Sequence, residues 1–194
     1  MTLWAAIPVK PLAEGKSRLA TALSQQARIR LNANLFQHTL ATVSAVFPPA
    51  RIIVVTRDFS LRDIATARGM QAIAEQGFEL NAALFEAAAR IPPTDGMLAI
   101  STDLPNLTPE DLLAMLAESD SPVVIAPDRA ATGTNALLTT PAACIPFRFG
   151  PDSFASHLSA ANARRISART ITRPGLAFDL DTEADLPVCP PEFL

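Results

Sequence analysis

The sequence is poor in the residues that most often build redox, zinc and membrane-bound sites. Only two histidines occur in 194 residues, which argues against a histidine-centred metal site. The two cysteines, Cys144 and Cys189, are far apart and in no metal-type spacing, so free thiols in a reduced, cytoplasmic protein are expected. No apolar run approaches the ~18 residues of a membrane span, and no contact with a membrane is expected. The opening residues already read as a strand, so no secretory signal peptide is expected. There is no excess of positive charge either. Sixteen Lys plus Arg stand against nineteen Asp plus Glu, net −3, which argues against a nucleic-acid binder. Repeats, low-complexity stretches, the Gly-x-x-x-x-Gly-Lys-Ser/Thr loop and the Gly-x-Gly-x-x-Gly loop are all missing. What is present is a large apolar share, 49%, over a length that suits a single domain spanning residues 1–194. Seventeen prolines punctuate its loops without gathering into a linker.

Strand and helix patterns alternate along the chain. Leu3 to Val9 reads as a first strand, and residues 24–47 carry apolar positions on one helical face up to Pro48-Pro49. Arg51 to Thr56 is a β-branched strand; Ser60 is placed to cap a helix through Ala67, and Met70 to Ala74 is a third strand. Residues 78–91 read as a helix closed by Pro92-Pro93, and Met97 to Ile100 as a strand. Thr108-Pro109-Glu110-Asp111 has the form of a capping box opening a helix. Pro122 to Ala126 and Ala136 to Thr139 are strands around a polar loop. Ser153 is placed to cap a helix to about Arg165, Arg169 to Thr172 is a strand, and a final helical turn begins at Thr182. Regular alternation predicts an α/β fold, a parallel sheet with helices on both faces, and ligands beyond the carboxyl ends of the strands. Trp4, the phenylalanines and a helix-face His157 complete the expected packing.

Two groups of charged residues stand out. Lys10, Lys16 and Arg18 lie in the loop between the first strand and the first helix, where an open α/β sheet holds phosphate. Asp103 follows the strand ending at Ile100. Asp179 and Asp181 follow Leu176-Ala177-Phe178, read as strand-like, and their spacing puts both carboxylates on one side. Three carboxylates without histidine suit a hard cation, magnesium above all, which takes few protein ligands plus phosphate oxygens. A basic loop facing an acidic metal site is the arrangement nucleotidyl transfer requires. Each element also has an ordinary alternative. The basic loop can be a solvated turn, Asp103 a turn residue, Asp179 and Asp181 caps of the last helix, and residues 132–135 a simple turn.

Taken together, the motifs resemble a family. Lys16-Ser17-Arg18-Leu19, Leu80-Asn81-x-Ala83-Leu84, Asp103-Leu104-Pro105, Asp128-Arg129-x-x-Thr132-Gly133-Thr134-Asn135-Ala136-Leu137, Phe149-Gly150-Pro151-x-Ser153-Phe154-x-x-His157 and Asp179-Leu180-Asp181-Thr182-x-x-Asp185-Leu186 occur in that order. The set is similar to the guanylyltransferases of deazaflavin coenzyme F-420 biosynthesis, which join GTP to 2-phospho-L-lactate, phosphoenolpyruvate or 3-phospho-D-glycerate. The similarity runs from about residue 7 to residue 187.

The resemblance implies a mixed, mostly parallel sheet of the nucleotide-diphospho-sugar transferase type. It implies a Mg2+ site at Asp103, Asp179 and Asp181, and phosphoacid contacts from Thr134, Gly150 and Ser153. Nucleotide contacts are expected from Pro8, Lys10, Lys16, Arg18, Asn81 and Asp103, with Lys16 and Asp103 catalytic. GTP and a small phosphorylated acid would be the partners, with hand-over of the product to a downstream transferase and a homodimer also expected. Thr102 stands where the family usually has a small residue and Asn106 where it has an apolar one, differences that bear on substrate preference. Two other readings remain: a nucleotidyltransferase acting on molybdenum cofactor or a sugar phosphate, and a non-catalytic nucleotide-binding subunit. The first would carry a Gly-rich first turn that is missing here; the second would lack one of the acids.

Overall fold

The computed structural model describes residues 1–75 and 80–194. The chain runs β1 (Leu3–Pro8), α1 (Gln25–Ser44), β2 (Ile52–Val55), α2 (Phe59–Ala67), β3 (Gln71–Ile73) and α3 (Leu80–Ala88). It continues through β4 (Gly96–Ile100), α4 (Pro109–Ala117), β5 (Val123–Pro127), β6 (Thr134–Thr139), α5 (Ser153–Ala163), β7 (Ala168–Thr170) and α6 (Pro174–Ala177). The first residues of the helix expected from residue 78 lie outside the described residues. No described helix is long and apolar enough to cross a membrane.

The seven strands form one sheet in the order β3-β2-β1-β4-β6-β5-β7. All pairings are parallel except those of β6, which runs antiparallel to both β4 and β5. Strand–helix alternation alone predicts a parallel sheet and misses this reversal. Only a short loop separates β5 from β6, too short for a parallel crossover, so β6 must turn back beside β5.

Helices cover both faces, which explains why central strands such as Ile52–Val55 are buried at every position. Alternate strand residues divide between two cores. Ala5, Ile7, Val54 and Leu98 pack with Phe36 and Leu40 of α1 and Leu112 of α4. Ala6, Val55, Met97 and Ala99 pack with Leu84 of α3 and Ala161 of α5 on the other face. Not every phenylalanine is core: Phe59 and Phe85 are exposed.

A third, smaller cluster positions the site. Leu19, just after the basic loop, and Leu180, between the two late aspartates, are both fully buried with Leu31 and Leu35 of α1 and Phe193 near the C-terminus. Burying a leucine side chain is worth ~1.5–3 kcal/mol. These two anchors therefore hold Lys16 to Arg18 and Asp179 to Asp181 side by side over α1.

Two helix starts and one element type differ from the sequence expectation. Asp58, not Ser60, caps α2, its carboxylate accepting from the Ser60 N–H at 3.0 Å. Asp152, in the left-handed region at φ 53°, precedes α5, so Ser153 is the first helical residue and not its cap. α6 replaces the strand expected before Asp179. The capping boxes at Thr108/Asp111 and Thr182/Asp185 are formed. At the latter, Asp185 accepts from the Thr182 N–H at 2.7 Å and hydroxyl at 2.9 Å, and Arg129 lies 2.5 Å away. Although its partial burial opposes ionisation, these donors hold Asp185 down to about 2. Asp185 thus does the capping, and Asp179 and Asp181 are left for other work.

Candidate active site

A cleft of about 800 Å³ opens at the carboxyl ends of β1, β2 and β4, where an α/β sheet places its ligands. Because β6 is antiparallel, its first residue, Thr134, reaches the same edge. Pro8, Lys10, Lys16 and Arg18 line the cleft from the first loop, Asp103, Asp179 and Asp181 from two later segments. Thr134, Gly150 and Ser153 line it too. Of the expected site residues only Asn81 is not among the described residues that line the cleft, although it lies between Leu80 and Ala83, which do. Its amide oxygen accepts from the Phe149 N–H at 2.7 Å and its amide nitrogen donates to the Phe149 carbonyl at 3.0 Å. Asn81 thus holds the loop before Gly150.

The charged corner is compact. Lys16 Nζ donates to Asp103 Oδ2 at 3.0 Å and to Asp181 Oδ1 at 3.1 Å, with only 8% of its side chain exposed. Arg18, largely exposed, reaches Asp181 Oδ2 at 3.5 Å. Asp103 Oδ1 accepts the Ser101 hydroxyl at 2.6 Å, and the Asp103 carbonyl accepts the Leu180 N–H at 2.9 Å, tying the two acidic segments together. Lys16 itself sits in the left-handed region at φ 55°, a strained conformation for a residue with a side chain. The preceding turn is pinned to α1, because Asn32 donates to the Leu12 carbonyl at 2.7 Å. A Cβ on Gly15 would lie 2.5 Å from the Asn32 amide nitrogen.

The ionisation pattern follows. Burial opposes the Lys16 charge, but Asp103 and Asp181 outweigh it and raise the ammonium above its ordinary value. Asp103 is likewise pushed up by burial, and the Lys16 charge and Ser101 hydroxyl overcome this to hold it below the carboxylate range. Asp179 goes the other way. Burial and then the charges of Asp103 and Asp181 raise it, with only partial relief from the Asn135 amide.

Lys16 and Arg18 pair with Asp103 and Asp181, while Asp179 is in none of these ion pairs, and a hard divalent ion bound through oxygen would draw on these carboxylates. Among the described residues no three such groups are already drawn together around one point, and Lys16 occupies the position between Asp103 and Asp181. The donor set fits magnesium of the kind held by one or two carboxylates plus phosphate oxygens, not a closed protein cage.

The uncharged corner is built on α5. Gly150 has φ 130°, open to a residue without a side chain, and a Cβ there would meet nothing within 4 Å. The Ser153 and Phe154 N–H groups are already bonded to the carbonyls of Gly150 and Thr132. The helix start therefore offers the Ser153 hydroxyl, which makes no hydrogen bond among the described residues. The neighbouring Asp128-to-Gly133 motif is a scaffold. Asp128 accepts from the Thr132 N–H at 2.9 Å and the Gly133 N–H at 2.8 Å, and a Cβ on Gly133 would lie 2.7 Å from that carboxylate.

His157, expected on a helix face, is instead fully buried between Thr134 and the Arg148 backbone. Burial, with the Arg148 charge adding to it, pushes the imidazole down to about 4. Between its ordinary 6.5 and 4 the unfolded chain takes up a proton that the folded chain refuses, so stability is full above pH 6.5 and falls as pH drops through this window. The loss by pH 4 is roughly 3 kcal/mol. Urea unfolding of wild type and His157→Gln at pH 7 and pH 4.5 checks it: the drop should shrink in the variant, and equal drops would contradict it.

Comparison with known proteins agrees at the level of fold and family. The chain resembles a candidate nucleotide-diphospho-sugar transferase of Desulfovibrio desulfuricans with a TM-score of 0.76 at 17% identity, covering 94% of this chain and 84% of that one. It resembles the 4-diphosphocytidyl-2C-methyl-D-erythritol synthase of Anaerococcus prevotii with a TM-score of 0.61 at 14% identity, covering 96% and 94%. In sequence it is 38% identical over 190 residues to the phosphoenolpyruvate guanylyltransferase of Rubrobacter xylanophilus, covering 96% of this chain and 92% of that one. It is 42% identical over 184 residues to the same-named protein of Chloroflexus aggregans, covering 91% of each. It is 35% identical to the 3-phospho-D-glycerate guanylyltransferase of Colwellia psychrerythraea over 184 residues, covering 93% and 87%. The family described as guanylyl transferase CofC like matches residues 3–188, and with relatives this close over nearly the whole length the chain belongs to that family of guanylyltransferases.

Proposed function

We propose that the chain transfers GMP from GTP to a three-carbon phosphoacid, phosphoenolpyruvate foremost, in the route to coenzyme F-420. The observation that carries this reading is the convergence, in one cleft, of the Lys16–Asp103–Asp181 cluster with the hydroxyls of Thr134 and Ser153 beside Gly150. The acid's phosphate oxygen forms a bond to the α-phosphorus of GTP, the bond from that phosphorus to the β-bridging oxygen breaks, and pyrophosphate leaves. The attacking phosphate is already ionised, so no general base is required and the lack of a cleft histidine is no obstacle. Magnesium held by Asp103, Asp179 and Asp181 would neutralise triphosphate charge. Lys10, Lys16 and Arg18 offset the charge that grows on the leaving pyrophosphate. Thr134, Gly150 and Ser153 hold the acid.

The test is pyrophosphate release with each nucleoside triphosphate paired with phosphoenolpyruvate, 2-phospho-L-lactate and 3-phospho-D-glycerate. GTP with one acid should exceed every other pairing; equal rates without any acid would contradict the reading. Ser153→Ala refines it. Since Asp152 precedes α5 and the Ser153 hydroxyl caps nothing, the ~1 kcal/mol loss of a removed cap is not expected. The KM for the acid should rise about tenfold, as expected for one lost hydrogen bond to a charged group, with the KM for GTP unchanged. Parallel titrations of the two substrates check this, and an unchanged acid KM would remove Ser153 from the site.

A further inference from the structure

We propose that His157 is a positioning residue of the acid-binding corner: held as the Nδ1–H tautomer, it donates to Thr134 Oγ1 and so directs the Thr134 hydroxyl proton outward to the substrate anion. The inference rests on the phosphoacid reading of Thr134 and adds a residue that no part of that reading requires.

Two contacts fix the tautomer. The Arg148 backbone N–H donates to His157 Nε2 at 2.9 Å, and an amide can only donate, so Nε2 carries a lone pair. The single proton of a neutral imidazole is then on Nδ1, which lies 3.0 Å from Thr134 Oγ1. A hydroxyl that accepts from the ring keeps its own hydrogen to give elsewhere. Thr134 Oγ1 makes no other hydrogen bond among the described residues, and Thr134 lines the cleft. An imidazolium would set a second donor against the Arg148 amide, and burial beside the Arg148 charge disfavours that form.

The surroundings hold the ring in place. Phe149 meets it edge-on, centroids 5.0 Å apart at 71°. Asn81 grips the Phe149 backbone on both sides, so Arg148 and Phe149 are fixed by two residues from different helices. Ser153 and His157 stand four apart on α5 and so share a helix face. One imidazole thereby joins the strand bearing Thr134, the loop leading to Gly150 and the helix bearing Ser153.

The first measurement uses the wild-type protein. With only two histidines in the chain, the ring-nitrogen NMR spectrum of labelled protein at neutral pH separates them readily. His157 should be protonated at Nδ1 and bare at Nε2; the Nε2–H tautomer or an imidazolium would overturn the proposal. Two variants then divide the contacts. His157→Asn keeps an amide nitrogen near Nδ1, whereas His157→Gln keeps an acceptor near Nε2 and loses the donor to Thr134. In turnover with GTP and the preferred acid, His157→Gln should raise the acid KM about tenfold and leave the GTP KM unchanged. His157→Asn, which keeps the donor to Thr134 but loses the acceptor for the Arg148 N–H, should raise the acid KM less than His157→Gln does, and in a Thr134→Val background His157→Gln should add no further rise. A His157→Gln effect that persists in that background, or no effect at all, would overturn the proposal. If the wild type turns over no phosphoacid, the substrate reading fails instead, and the tautomer spectrum still judges His157.

Discussion

Asp179→Asn is expected to abolish turnover and, in metal-free buffer at neutral pH, to raise the melting temperature. The two effects come from the same cause. Burial and the nearby charges of Asp103 and Asp181 lift the Asp179 carboxyl above its ordinary value, so the folded protein holds its ionised form less willingly than the unfolded chain does. Above the ordinary pKa of a carboxylate that difference is a cost to folding, and it grows as pH rises through the raised value. An amide of the same shape removes the charge and the cost. Under the proposed mechanism it also removes a carboxylate that would hold magnesium at the triphosphate, and losing one stabilising contact at the reacting phosphate typically costs ~10²–10³ in rate. Thermal melts beside pyrophosphate-release assays check both halves. A lower melting temperature would mean that Asp179 is not the strained member of the cluster; near-normal turnover would remove it from the site.

Lys16→Ala should produce the opposite pairing, a loss of activity together with a loss of stability. Its position in a loop suggests a surface residue whose removal is nearly free. The structure reverses that, because Nζ is almost enclosed and bridges Asp103 and Asp181. Removing one partner of a fully buried ion pair costs ~3–5 kcal/mol. Asp181 is 40% exposed and Asp103 a quarter exposed, so water would screen part of this and roughly 1–3 kcal/mol is expected. Adding Asp179→Asn should restore much of it by removing a carboxylate from the unbalanced cluster. If Lys16 offsets charge on the leaving pyrophosphate as proposed, turnover with GTP should fall ~10²-fold or more. Urea unfolding of the single and double variants decides the stability half; an unchanged midpoint for Lys16→Ala would place Nζ in solvent.

The order of elements, apart from α6 in place of a strand, and the two charged groups were legible because local pattern records them: β-branched runs, Pro-Pro stops, the Thr108 and Thr182 boxes. Legible too, through motif resemblance, was the family and with it the mixed sheet. Distances through space were not. Nothing in the spacing of Leu19 and Leu180 shows that both bury in one cluster, yet that burial brings Lys16 against Asp181. Nor does a serine opening a helix reveal whether it caps; the left-handed Asp152 takes the place before α5 and leaves Ser153 facing the cleft. Asn81 and His157 belong to motifs that the sequence displays, but their work is to hold Phe149, Arg148 and Thr134, which only packing discloses. The pairing of Asp128 with Thr132 and Gly133 likewise shows that this part of the family motif is a loop scaffold.

The most direct test of the account follows the atoms of GTP. Wild-type protein is incubated with magnesium, phosphoenolpyruvate and GTP labelled in either its α- or its γ-phosphate, with a coupled transferase present to trap a labile product. The α label should appear in a guanosine-containing adduct whose mass equals GMP joined to the acid, and the γ label should appear only in pyrophosphate. Transfer of the γ label to the acid, or release of pyrophosphate that does not depend on any phosphoacid, would contradict guanylyl transfer at this cleft.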